Sequence, residues 1–137
     1  DLAALLKASD DLQRTSKVIE YFASRKPLLN PLHFVNPIYD EIYVITSRED
    51  CAKEITVQWC SKHLPSYIKL FFACVTKCKN RDEIQDWFTR VASEKALIIN
   101  NLQLDIYFED IPEVVMKLGE MCPATKIINY RGNDCGI

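Results

Sequence analysis

The sequence has no long hydrophobic run and no excess of either charge. No apolar stretch in the 137 residues reaches the roughly 18 residues that a membrane-spanning helix needs, and no basic-then-apolar leader opens the chain. The formal net charge is −2, so bulk electrostatics favours neither nucleic acid nor an anionic membrane as a partner. With 48% hydrophobic and 26% charged residues, the composition is typical of a soluble protein, and we expect a cytoplasmic, intracellular location.

Metal-binding patterns are also scarce. The six cysteines include no Cys-x-x-Cys pair. Cys74 and Cys78 are four positions apart, but no second pair of ligands has the spacing of a zinc site. The two histidines, His33 and His63, are thirty residues apart. We therefore expect the cysteines to be buried thiols, with one or two disulfides as the alternative.

Short apolar runs alternate with segments of helical periodicity. The chain length suits one domain, 1–137, with a single core. The apolar runs, which are typical of strands buried on both faces, lie at 41–46, 67–75, 104–108 and 125–130. The helical segments lie at 10–23, 52–64, 80–91, 93–101 and 112–119. This alternation predicts an α/β domain with a mainly parallel sheet and helices on both of its faces.

Polar residues follow two of the predicted strands. Thr46 and Ser47 end the first, Glu109 and Asp110 end the third, and Lys95 lies in the helix before the third. Ligands of parallel sheets sit beyond the carboxyl ends of the strands. Hydroxyls and an ammonium group can hold a phosphate, and two carboxylates can hold Mg²⁺. Taken singly, the same residues are helix caps and a solvated lysine, but together they predict a phosphate site beside a metal site.

These motifs resemble those of the haloacid dehalogenase-like (HAD) superfamily, especially its small nucleotidase-like members. "IYVITSRED" resembles the second motif, "SEKALIINNLQLDIYFED" carries the third-motif lysine, and "LDIYFEDIPEVV" resembles the acidic fourth motif, which binds Mg²⁺ in the family. "ATKIINYRG" matches the strand that usually follows. The resemblance covers roughly residues 40–132. It implies a three-layer Rossmann-like sandwich with a mainly parallel sheet of about five strands, without a separate cap domain.

The first motif of the family, Asp-x-Asp-Gly after a strand, is missing from the sequence. Its best placement makes residues 2–6 the strand, so that Lys7 takes the nucleophile position, Ser9 the acid/base position and Asp10 the glycine position. A competing placement makes residues 1–23 helical and leaves the first strand outside the sequence. In the family this strand lies between the strands of the second and fourth motifs. Its loss would leave buried backbone groups unpaired, which favours the first placement.

The substitutions in the first motif predict impaired chemistry. An ammonium group cannot attack phosphorus as a carboxylate does, and it cannot ligate Mg²⁺. We therefore expect Lys7 to neutralise Glu109 or Asp110 in place of the metal. Ser9 is a poor general acid near neutral pH, and companion residues do not recover the contribution of a lost nucleophile.

Three functions are compatible with these patterns. The first is a catalytically impaired HAD-like domain that acts as a binding or assembly module, with a phosphorylated small molecule or a protein as its partner. The second is a Mg²⁺-dependent phosphatase or 5′-nucleotidase whose nucleophile is Asp10, Asp11 or an aspartate upstream of residue 1. The third is an unrelated α/β protein of viral or mobile-element origin, in which the acids at the strand end are helix caps.

Overall fold

Four strands, three α-helices and a short 3₁₀ turn lie within residues 40–75 and 84–130. A computed structural model describes residues 40–75 and 84–130, together with Leu2, Ser16, Lys17 and Glu20. The elements, in chain order, are β1 (Tyr43–Thr46), a 3₁₀ turn (Asp50–Ala52), α1 (Lys53–His63), β2 (Lys69–Phe72), α2 (Trp87–Leu102), β3 (Ile106–Glu109), α3 (Pro112–Met121) and β4 (Lys126–Asn129). Each strand overlaps a predicted apolar run, and the predicted α/β class is confirmed.

The strands form two parallel pairs. β1 pairs with β2, with Tyr43 opposite Lys69, and β3 pairs with β4, with Ile106 opposite Lys126. Within residues 40–75 and 84–130 the two pairs are separate sheets of two strands each. The predicted parallel pairing is therefore present, whereas the predicted single sheet of about five strands is not seen in this part of the chain.

Two cavities separate β1 from β3. The first, which we call the slot, has a volume of about 280 Å³ and is lined by residues 41–45 of the first pair and by residues 104 and 106–108 of the second. The second, the strand-end cavity, has a volume of about 410 Å³ and is lined by residues that end or follow the two strands, 45–49 and 107–111. Both strands therefore run in the same direction and end at the same cavity.

The core lies on one face of the β3–β4 pair. Helices α2 and α3 pack against each other and against this face, and they share a cluster of buried side chains. The members on the two helices and beside them are Val91, Ala92, Ala96, Ile99, Tyr107, Val114, Leu118 and Cys122. On the opposite face Ile106 is 51% exposed and Phe108 is 43% exposed. The expectation that the run at 104–108 is buried on both faces is wrong for the described residues, because both flanking helices cover the same face.

Helix α2 is continuous where the sequence predicted two helices. Ser93, the first residue of the predicted second helix, lies inside α2, and its hydroxyl donates a hydrogen bond to the carbonyl of Thr89 one turn earlier (2.8 Å). A serine that bonds back in this way does not interrupt a helix. The helix ends at Leu102, and the next residue, Gln103, caps it in a left-handed conformation with φ of 53°.

Helix α3 begins as predicted and ends later than predicted. Pro112 occupies its first turn, where the missing amide hydrogen costs nothing. The helix then passes through Gly119, the predicted stop, and continues to Met121. The Asn100 side-chain amide donates to the carbonyl of Met121 (3.1 Å) and so satisfies one of the unpaired carbonyls at this end.

The described residues near the start of the chain are helical. Ser16, Lys17 and Glu20 lie in helix, as the pattern at 10–23 predicted for them. Leu2 is also helical and 71% exposed, so the prediction that a central strand begins there is wrong. A short apolar run fits a helix and a strand equally well. Residues 3–6 and the first-motif candidates Lys7, Ser9, Asp10 and Asp11 lie outside the described residues.

Among the residues whose positions are described, no helix is long and apolar enough to cross a bilayer.

Candidate functional site

The strand-end cavity brings together every predicted site residue that the structure describes. The cavity is lined by Thr46 and Ser47 at the end of β1 and by Glu109 and Asp110 at the end of β3. Lys95 reaches the same wall from the middle of α2. These side chains meet because the carboxyl ends of strands that run in one direction lie at one edge.

Lys95 and Glu109 form a buried ion pair in this cavity. The Lys95 Nζ lies 2.5 Å from the Glu109 Oε2, and the two side chains are 7% and 3% exposed. Buried charges of this kind persist only when they are paired and hydrogen-bonded. The ammonium group that the sequence assigned to a phosphate is thus held by a carboxylate of the same chain.

The burial of Lys95 could have been predicted from its spacing to apolar residues in the sequence. Lys95 lies four residues after Val91 and four residues before Ile99, and both of these are fully buried. Residues four apart share one face of a helix. Lys95 therefore lies in the apolar stripe of α2 and not on its solvated side, as it would if it were an ordinary surface lysine.

Glu109 accepts three further hydrogen bonds. The Tyr107 hydroxyl donates to the same Oε2 (3.4 Å), and the backbone N–H groups of Asp110 and Ile111 donate to Oε1 (3.1 and 3.5 Å). Both carboxylate oxygens thus have donors from this chain. The side chain fixes the turn from β3 into α3, at the helix end where a negative charge is favoured.

Tyr107 remains a hydrogen-bond donor in this environment. Burial raises the pKa of its hydroxyl well above the usual 10.0, and the negative charges of Glu109 and Asp110 raise it further. The ring also lies beside the Lys95 ammonium group, 5.9 Å from its centroid to Nζ. Tyr107, Lys95 and Glu109 therefore form one hydrogen-bonded and electrostatically linked group beneath the cavity.

The described residues do not make a Mg²⁺ site at this place. Mg²⁺ needs several oxygen ligands in near-octahedral geometry, and both oxygens of Glu109 already accept hydrogen bonds. Stripping Lys95 from Glu109 would leave a buried charge uncompensated, at a cost of about 3–5 kcal/mol. Within residues 40–75 and 84–130 no group of three or more acidic, histidine or cysteine side chains is placed to hold a metal ion. Asp110 alone offers an exposed carboxylate at the cavity.

The cation expected on the acidic pair was Lys7, which lies outside the described residues. The cation that the structure shows on Glu109 is Lys95. The role expected of Lys7 therefore stays a prediction.

Arg48 supplies the second positive charge of the cavity. Its backbone N–H donates to the Thr46 hydroxyl, and its guanidinium donates to the hydroxyl of Thr56 in α1 (both 3.3 Å). The guanidinium also lies 5.6 Å from the centre of the Trp59 ring. Thr56 is 2% exposed and bonds back to the carbonyl of Ala52 (2.6 Å), so α1 holds Arg48 in place.

Arg48 stands in the quoted motif "IYVITSRED", but no role was predicted for it. Thr56 and Trp59 are three residues apart and therefore lie on the same face of α1. The contacts of Arg48 with this hydroxyl and this indole depend on the packing of α1, which a single motif does not specify.

Comparison of the chain with protein-family models, with curated proteins and with solved structures finds no match. The likeness to the HAD superfamily therefore remains a prediction that rests on the motifs quoted above.

Proposed function

We propose that the chain is a HAD-like domain that acts as a binding or assembly module and not as a phosphatase. The observation that carries the proposal is the buried pair of Lys95 and Glu109, in which both carboxylate oxygens accept hydrogen bonds from this chain. The two residues that the family uses for phosphate and for metal are engaged with each other. They stabilise the turn after β3 instead of holding a substrate.

The arrangement of the strands supports the HAD-like part of the proposal. β1 carries the second-motif sequence and β3 carries the fourth-motif sequence, and they run in the same direction on opposite sides of the slot. The family has its first strand between these two. We propose that a fifth parallel strand between β1 and β3 joins the two pairs into one mainly parallel sheet, with β2 and β4 at its edges.

The charges of the strand-end cavity favour a polypeptide partner over a phosphorylated small molecule. Once Lys95 and Glu109 neutralise each other, the charged residues that line the cavity in the described part of the chain are Arg48, Glu49 and Asp110. The exposed carboxylate of Asp110 at this cavity repels a phosphate dianion. A protein segment with hydrogen-bonding groups and little charge meets no such repulsion.

The alternative is a Mg²⁺-dependent phosphatase or 5′-nucleotidase. One observation favours it: Thr46, Ser47, Lys95 and the two acids line one cavity in the order of the family's motifs. In that case the nucleophile would be Asp10 or Asp11, as the sequence suggests. Lys95 would then have to leave Glu109 or bridge it to the substrate.

Hydrolysis of p-nitrophenyl phosphate and of a 5′-nucleotide in the presence of Mg²⁺ separates the two functions. We expect no turnover above the rate of buffer alone. Turnover that is lost in Asp10→Asn or in Asp11→Asn would establish the phosphatase instead. Asp50→Asn is a matched control, because Asp50 is an exposed acid that pairs with Lys53 away from the cavity.

A further inference from the structure

We draw no further inference here: the strongest candidate, the mainly apolar cavity of about 360 Å³ that Val57 of α1, Val44 of β1 and Leu70 of β2 help to line, carries none because nothing in the described part of the chain shows what covers it.

Discussion

The Lys95–Glu109 pair makes a quantitative prediction about stability. Lys95→Met keeps the length of the side chain and removes its charge, which leaves the Glu109 carboxylate buried at 3% exposure without its cation. Removing one partner of a buried ion pair typically costs about 3–5 kcal/mol. A domain of this kind is stable by only about 5–15 kcal/mol, so the single variant should lose a large share of its free energy of unfolding.

The double variant measures the interaction between Lys95 and Glu109 apart from their contacts with other residues. Glu109→Gln keeps an oxygen that can accept from the N–H groups of Asp110 and Ile111 but leaves Lys95 buried and uncompensated. With Lys95→Met and Glu109→Gln together, neither charge remains. We expect the double variant to be more stable than the sum of the two single losses predicts, with a coupling energy of about 2 kcal/mol or more.

Urea unfolding followed by circular dichroism measures all four proteins of this cycle. Lys53→Met is the control, because Lys53 and Asp50 form an exposed pair (3.3 Å, 47% and 42% exposed) and its removal should cost less than about 1 kcal/mol. A loss below about 1 kcal/mol in Lys95→Met, or a coupling energy near zero, would refute the claim that a buried ion pair holds the site.

Three further predictions test the core around the site. The pKa of Tyr107 in the folded state is raised from 10.0, so above about pH 10 the folded state keeps a proton that the unfolded state loses, and stability drops as the pH rises. Tyr107→Phe should therefore reduce this loss of stability. Urea unfolding at about pH 9 and pH 11 measures the difference from the unmodified chain. Ile99→Ala should cost about 2–5 kcal/mol because Ile99 is fully buried, whereas Leu97→Ala, at a residue of α2 that is 60% exposed, should change the unfolding free energy by less than about 0.5 kcal/mol. Cys122 is fully buried, and burial raises the pKa of its thiol, so mass spectrometry should show that a thiol reagent labels it in urea and not in the folded chain.

The positions of the strands could be predicted from the sequence because short β-branched runs have few alternatives. The meeting of Thr46 with Glu109 also followed from the sequence, since it requires only that two parallel strands end at one edge. These features depend on local composition and on a general rule of sheet topology.

The partner of Glu109 could not be predicted from motifs alone. The interpretation of Lys95 as a phosphate ligand came from its place in a motif, whereas its burial depends on how α2 packs against α3. The prediction that a strand begins at Leu2 was wrong for a related reason. An apolar run does not specify its own secondary structure, and only the surrounding packing decides between helix and strand.

The central claim is that Glu109 is neutralised by Lys95 and not by a metal ion. Titration of the full chain with Mg²⁺ in a calorimeter tests it most directly. The Lys95–Glu109 pair predicts no binding heat at micromolar concentrations of Mg²⁺, in the unmodified chain and in Glu109→Ala alike. Binding in the micromolar range that Glu109→Ala abolishes would contradict the claim.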